Sequence, residues 1–135
     1  MSVSCKHTGI KLAIALDNEI IWQGDPGNPQ QIVHEFDDAD NADHLLTITL
    51  SGKLPKHTEV DDQGNIVSDL LVNVSQFSLE SVPIDHVVWR QSKYYHDFNG
   101  TQPSITDEFF GDMGCNGRVE FKFSSPVYIW LLENT

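Results

Sequence analysis

The acidic segment between residues 37 and 43 carries the residue types best suited to holding a metal ion. Asp37, Asp38, Asp40 and Asp43 fall close together, with Asn41 among them. Calcium takes about six to eight oxygen ligands, which closely spaced carboxylates can supply. The segment lacks the central glycine and terminal glutamate of an EF-hand loop. It therefore predicts either a calcium site or a solvated turn in which Asp and Asn serve turn geometry.

Three aromatic residues have the chemistry to bind a carbohydrate. Trp22 precedes a loop rich in proline and glycine, and Tyr94 and Tyr95 precede another loop. Trp and Tyr present a flat apolar face with a polar edge, which suits stacking on a sugar ring. Exposed rings at these positions would form a ligand site, whereas buried rings would be part of the core.

Motifs for catalysis are missing from the sequence. None of the six histidines falls in an H-x-H or H-E-x-x-H pattern, so no zinc signature is present. Gly-x-Ser-x-Gly and glycine-rich phosphate loops are also absent. Cys5 and Cys115 form no C-x-x-C pair, and free thiols are expected more than a disulfide between them. The chain is predicted to be non-enzymatic.

The charge balance limits the classes of partner. Asp and Glu number 20 against 8 Lys and Arg, giving a net charge of −12. Such a chain repels nucleic-acid phosphates and anionic membrane surfaces, so neither is an expected partner. Cations, neutral glycans and basic protein surfaces remain. The first residues contain no apolar segment of a signal peptide, so synthesis in the cytoplasm is expected.

Alternating apolar residues predict the elements that position these groups. The period of two is clearest in residues 10–16, 44–51 and 118–124, and tight polar turns separate such segments. Residues 31–36 and the apolar run 127–132 are also predicted to be strands, and a short helix is predicted within 84–96. We therefore expect one mainly β domain over residues 1–135. Its predicted architecture is an antiparallel β-sandwich or jelly roll with one or two short helices.

Several stretches of the chain resemble small uncharacterised proteins encoded by tailed marine phages, notably cyanophages. They are residues 35–38, 43–53, 96–101, 113–117 and 127–134. A second likeness is confined to the first half, where a strand pair around residues 16–18 precedes the acidic loop. That pattern resembles the jelly-roll carbohydrate-binding modules that bind xylan through calcium.

These resemblances imply two functions. The first is a structural protein of the virion, either a capsid decoration or a tail, baseplate or fibre component. It would contact other virion proteins or copies of itself through edge strands, loops and the closing segment 127–132. The alternative is a carbohydrate-binding module for a host-surface polysaccharide. Trp22, Tyr94 and Tyr95 would then stack on the glycan, and the four aspartates would hold calcium.

Overall fold

The fold is known from a computed structural model. It describes residues 1–6, 9–53, 59–60, 62–63, 66–68, 71–96 and 103–135, and of 59–60 and 66–68 the backbone alone. The strands are β1 (Ser2–Cys5), β2 (Lys11–Leu16), β3 (Glu19–Gly24), β4 (Gln30–Gln31), β5 (Ala42–Ser51), β6 (Glu59–Val60), β7 (Ile66–Ser68), β8 (Val72–Ser75), β9 (Ser78–Leu79), β10 (Val82–Pro83), β11 (Lys93–His96), β12 (Ile105–Asp107), β13 (Asp112–Met113) and β14 (Gly117–Ser125). The helices are α1 (Asp85–Gln91) and α2 (Val127–Asn134).

Two antiparallel sheets contain most of the strands. The larger has the order β12-β11-β14-β5-β2-β3, and the smaller has the order β13-β8-β1-β4. The pairs β6–β7 and β9–β10 are separate two-stranded ribbons. The chain passes repeatedly between the sheets, so that neither sheet consists of one continuous part of the sequence. This arrangement is consistent with a β-sandwich, and the prediction of a mainly β, antiparallel fold with one or two short helices is confirmed.

One buried apolar cluster joins the two sheets. The larger sheet contributes the inward residues of β2, β5 and β14, such as Leu12, Ile48 and Phe121, while Val3 and Val74 come from the smaller sheet. These residues alternate with exposed or half-buried ones along each strand, as the period of two requires.

The longest ladder lies at the centre of the larger sheet. Strand β14 pairs with β5 from Gly117 opposite Leu50 to Ser125 opposite Ala42, and β5 pairs on its other side with β2. Strands β2 and β3 are joined by Asp17 and Asn18, which both have positive φ. A two-residue hairpin turn of type I′ needs positive φ at both positions, and Asn and Asp tolerate it well.

Two predicted strands are wrong. The apolar run 127–132 forms helix α2, and within 31–36 only Gln31 belongs to a strand. A short all-apolar run does not reveal its period, so a strand and a buried helix look alike in sequence. The predicted short helix within 84–96 is present as α1, and the last four residues of that segment form β11. No helix in the described part of the chain has the length and apolar character needed to cross a bilayer.

Candidate functional site

The end of the larger sheet brings together three polar residues that are distant in sequence. Asp17 lies in the β2–β3 turn, His44 near the start of β5, and Ser125 at the end of β14. The ladder register places Phe123 opposite His44 and Leu16 opposite Leu46. Because β14, β5 and β2 are adjacent strands, the three side chains meet at one end of the sheet.

These side chains form a continuous hydrogen-bonded chain. His44 Nδ1 lies 2.7 Å from Asp17 Oδ2, and His44 Nε2 lies 3.0 Å from Ser125 Oγ. The second oxygen of Asp17 accepts the backbone N–H of Leu45 at 2.8 Å. The hydrogen bond from His44 lowers the pKa of the Asp17 carboxyl below its ordinary value.

The catalytic triad of serine hydrolases has the same hydrogen-bonded sequence of aspartate, histidine and serine. Here, however, the aspartate is exposed and the serine is buried. In a catalytic triad the serine reaches the substrate and the aspartate is buried behind the histidine. Ser125 is 3% exposed, whereas the side chain of Asp17 is 45% exposed. A polar depression beside His44 is lined by Ser124 and not by Ser125. The geometry therefore favours a structural link between three strands over nucleophilic attack by Ser125.

A small apolar cavity lies next to this hydrogen-bonded chain. The ring of His44 lies between Phe36 and Phe123, at centroid distances of 5.2 Å and 5.1 Å. Both phenylalanines also line the cavity, whose volume is about 90 Å³. Its lining side chains are apolar except for those of His34 and Ser78. The lining residues are Met1, Leu16, Ile21, Ile32, His34, Phe36, Leu46, Phe77, Ser78, Leu79, Ile84, Phe121 and Phe123.

His34 is exposed, although the predicted strand at residues 31–36 would place it on the same face as the apolar Ile32 and Phe36. Residues 32–36 form no strand, so the alternation that placed His34 inward does not apply. It therefore contributes to the edge of the cavity rather than to the core.

Helix α2 presents a second surface of interest. Its inner side buries Val127, Trp130 and Leu131, and Trp130 packs edge-on against Phe121 and Phe123 of β14. Its outer side carries Tyr128, Ile129 and Leu132, which are 62%, 41% and 79% exposed. Tyr128 and Leu132 are one turn apart and so lie on the same side of the helix. The helix is thus apolar on both its inner and its outer side.

The four predicted calcium ligands do not form a cluster. All four are exposed, and within the described ranges no three His, Cys, Asp or Glu side chains are grouped so that they could hold a metal ion. Asp38 has a different contact, because its Oδ1 accepts the backbone N–H of Val127 at 2.7 Å. It thereby satisfies a free N–H in the first turn of α2. The structure places Asp38 as a helix-capping residue.

Of the three predicted sugar-stacking residues, Trp22 lies far from Tyr94 and Tyr95. Trp22 is half-buried on the edge strand β3, while Tyr94 and Tyr95 belong to β11, with β14, β5 and β2 in between. Neighbouring strands are about 4.8 Å apart, so roughly 19 Å separate the two strands. The structure does not bring these residues into one site.

The two tyrosines also point to opposite faces of β11. Tyr94 is 5% exposed, and its hydroxyl donates to the Cys115 carbonyl and accepts the Cys115 N–H. Burial raises the pKa of Tyr94 above its ordinary value. Its ring is part of the core, which is the second of the two alternatives that the sequence left open for it. Tyr95 is half-buried, and Arg118 Cζ lies 4.6 Å from its ring centroid, so one face of the ring is already covered.

Cys5 and Cys115 are not joined in a disulfide, and each is half-buried rather than fully buried. Cys115 takes part in the hydrogen bonds with Tyr94 through its backbone.

Sequence reasoning missed both the Asp17–His44–Ser125 chain and the outer side of α2. The three polar residues lie 27 and 81 positions apart and share no local motif. Only the pairing of β2, β5 and β14 reveals their proximity. The outer side of α2 was hidden by the strand prediction, although the sequence of 127–132 does show that nearly every residue there is apolar.

Comparison with known proteins gives no further assignment. The chain matches no protein-family model, no curated protein and no solved structure.

Proposed function

We propose that the protein is a non-enzymatic structural component of a phage particle, attached to a neighbouring particle protein through the outer side of α2. The single observation that supports this proposal is the apolar character of that side. A helix on the surface of a protein normally carries polar residues outward. Tyr128, Ile129 and Leu132 instead expose large apolar side chains there. Contiguous apolar groups of this kind mark surfaces that another protein covers.

The helix is held firmly in its position. Arg90 Nη2 donates to the Asn134 carbonyl at 2.9 Å, and Gln91 Nε2 donates to Asn134 Oδ1 at 3.0 Å. Asp38 holds the other end of the helix through Val127. A surface that is fixed before binding loses less conformational entropy when a partner covers it. These contacts therefore favour α2 as an attachment surface.

Charge decides which partner is proposed. Two copies of this chain would each carry a net charge of −12, so they would repel one another electrostatically as they approach. A different protein that offers an apolar cleft with a basic rim would be complementary to the patch and to the charge around it. The proposed partner is therefore another particle protein rather than a second copy. The capsid, tail, baseplate and fibre are the settings that the phage resemblance implies.

The test changes the outer side of α2 in the particle itself. Tyr128→Lys and Leu132→Lys are introduced together into the gene in the encoding phage, and the protein is quantified in purified particles by mass spectrometry. Phe110→Lys is the matched control, because Phe110 is 63% exposed and lies outside α2. We expect loss of the double variant from the particles and normal incorporation of the control. The thermal stability of both purified variants is checked first.

Three outcomes would contradict the proposal. In the first, the wild-type protein is absent from purified particles. In the second, the double variant is incorporated as efficiently as the control. In the third, sedimentation velocity of the isolated wild type shows a dimer that the double variant abolishes, which would make a second copy the partner.

The carbohydrate-binding alternative has less support. Trp22 lies on β3, four strands from Tyr94 and Tyr95 on β11, and Tyr94 is part of the core. The four aspartates form no cluster. No geometric feature of the described residues favours it over attachment through α2.

A further inference from the structure

The apolar cavity between the larger sheet, the β9–β10 ribbon and residues 32–36 is larger than ordinary packing leaves. Protein interiors are packed as densely as organic crystals, and voids bigger than one water molecule are few. At about 90 Å³, this cavity has room for several water molecules. Its inner wall consists of side chains such as Leu16, Leu46, Ile84 and Phe121, which come from strands of the larger sheet and from the segment before α1.

Water is a poor occupant of this space. A buried water needs about two to four hydrogen-bond partners, and cavities lined by Leu, Ile and Phe stay dry and bind apolar molecules instead. The two polar side chains of the lining, His34 and Ser78, are both exposed and so lie at the rim. The inner wall therefore offers an environment suited to an apolar group.

The cavity is also open to solvent on one side. Ile21 on β3 and Leu79 on β9 line it and are half-buried, close to the exposed His34 and Ser78. We propose that the cavity binds a small uncharged apolar group, a short alkyl chain or a single ring, that enters through this opening. Pockets for drug-sized ligands measure several hundred Å³, so a larger ligand could insert only its end. The net charge of −12 disfavours a carboxylate at the mouth.

The apolar group could belong to a free small molecule or to the end of an uncharged amphiphile. Hexan-1-ol is the probe for the first source, and octyl glucoside below its micelle concentration is the probe for the second. Hexanoate has the same chain length as hexan-1-ol with a negative charge. Each probe is titrated into the full chain labelled with ¹³C at its methyl groups, and the methyl shifts are recorded by NMR.

We expect hexan-1-ol to give saturable shifts at the methyl groups of Leu16, Leu46 and Ile84 and none at Val72 and Val74. The last two are core residues of β8 that do not line the cavity. A ligand of this size should bind with a Kd in about the millimolar range. Hexanoate should bind at least about tenfold more weakly, a difference of about 1.4 kcal/mol. Shifts with octyl glucoside alone would assign the site to amphiphiles.

Two substitutions fill the cavity from different strands. Leu79→Phe and Ile21→Phe should each weaken hexan-1-ol binding by at least about tenfold, with Val33→Phe as control. Val33 lies between two lining residues, and its own side chain is 83% exposed. Melting curves establish that each variant is folded. If neither is folded, intermolecular nuclear Overhauser effects between hexan-1-ol and the Leu16 and Leu46 methyls of the wild type decide the question.

The proposal is overturned if no probe gives saturable shifts, if the shifts spread evenly through the core, or if folded filling variants bind as the wild type does. Absence of those Overhauser effects would overturn it as well. None of these results depends on α2, so failure here leaves the attachment proposal intact.

Discussion

Substituting Asp38 separates its two possible roles, helix capping and calcium binding. In the structure its Oδ1 lies 2.7 Å from the Val127 nitrogen, at the first residue of α2. Removing a capping acceptor costs about 0.5–2 kcal/mol, and a carboxylate near an exposed helix N-terminus contributes about 0.3–1 kcal/mol. Since Asp38 is exposed, we expect Asp38→Ala to lower the free energy of unfolding by about 1–1.5 kcal/mol. Asp38→Asn keeps an acceptor oxygen and should cost about 0.5 kcal/mol.

The assay is urea unfolding followed by circular dichroism, in calcium and separately in chelator. A loss of 1 kcal/mol corresponds to a Tm shift of roughly 3–5 °C for a chain of this size, so thermal melts give a second measurement. Asp40→Ala is the matched control, since Asp40 is also exposed and belongs to the same acidic segment. It should change stability by less than about 0.5 kcal/mol.

The capping role predicts the same loss for Asp38→Ala with and without calcium. A bound calcium ion would instead stabilise the wild type by mass action, and substitution of any of the four aspartates would remove that gain. Equal effects of Asp38→Ala and Asp40→Ala in chelator would refute the reasoning from the Val127 contact.

Three further predictions concern the core and the hydrogen-bonded side chains of Asp17 and Tyr94. Phe109→Ala should cost about 3–5 kcal/mol in urea unfolding because Phe109 is 0% exposed, while Phe110→Ala, at 63% exposed, should cost less than about 0.5 kcal/mol. Equal losses of stability in the two variants would contradict the burial of Phe109 and the exposure of Phe110. The lowered pKa of Asp17 stabilises the fold above its ordinary value of 3.8, and this contribution disappears as the pH falls through the folded pKa. Asp17→Asn should therefore be less stable than wild type at pH 6, with a difference that shrinks at pH 3; a constant difference would contradict the linkage. Tyr94→Phe should lower the free energy of unfolding by about 1–2 kcal/mol, because the backbone of Cys115 loses its hydroxyl partner. In an ultraviolet titration of the wild type, one tyrosine should fail to ionise near pH 10, and Tyr94→Phe should leave the number that ionise there unchanged.

The β elements could be predicted because their side chains alternate. In β5 and β14 the inward residues are apolar at every second position, and the structure confirms both strands to within a residue or two. The run 127–132 has no such alternation, since polar residues mark neither face. Its helical form goes with the packing of Trp130 against β14, which is a tertiary effect that the local sequence does not contain.

The candidate sites were less predictable, for a related reason. Asp37, Asp38, Asp40 and Asp43 are close in sequence, and this proximity alone suggested a metal site. In the structure they form no group that could hold a metal ion, and Asp38 instead accepts the backbone N–H of a residue 89 positions away. The cavity is equally non-local, because its walls come from six or more separate segments whose meeting point is set by the order of strands.

The pairing of β5 with β14 has a consequence for how the chain is made. Ala42 and Ser125 lie 83 positions apart, and β14 stands between β5 and β11 in the larger sheet. During synthesis, β5 therefore leaves the ribosome long before its principal partner exists, and its unpaired backbone groups remain open to other chains until then. Contacts between such distant segments also slow folding, because a long loop must close before they form. The last quarter of the sequence thus completes the centre of the sheet, and nascent chains that end before residue 117 keep an open, aggregation-prone strand edge.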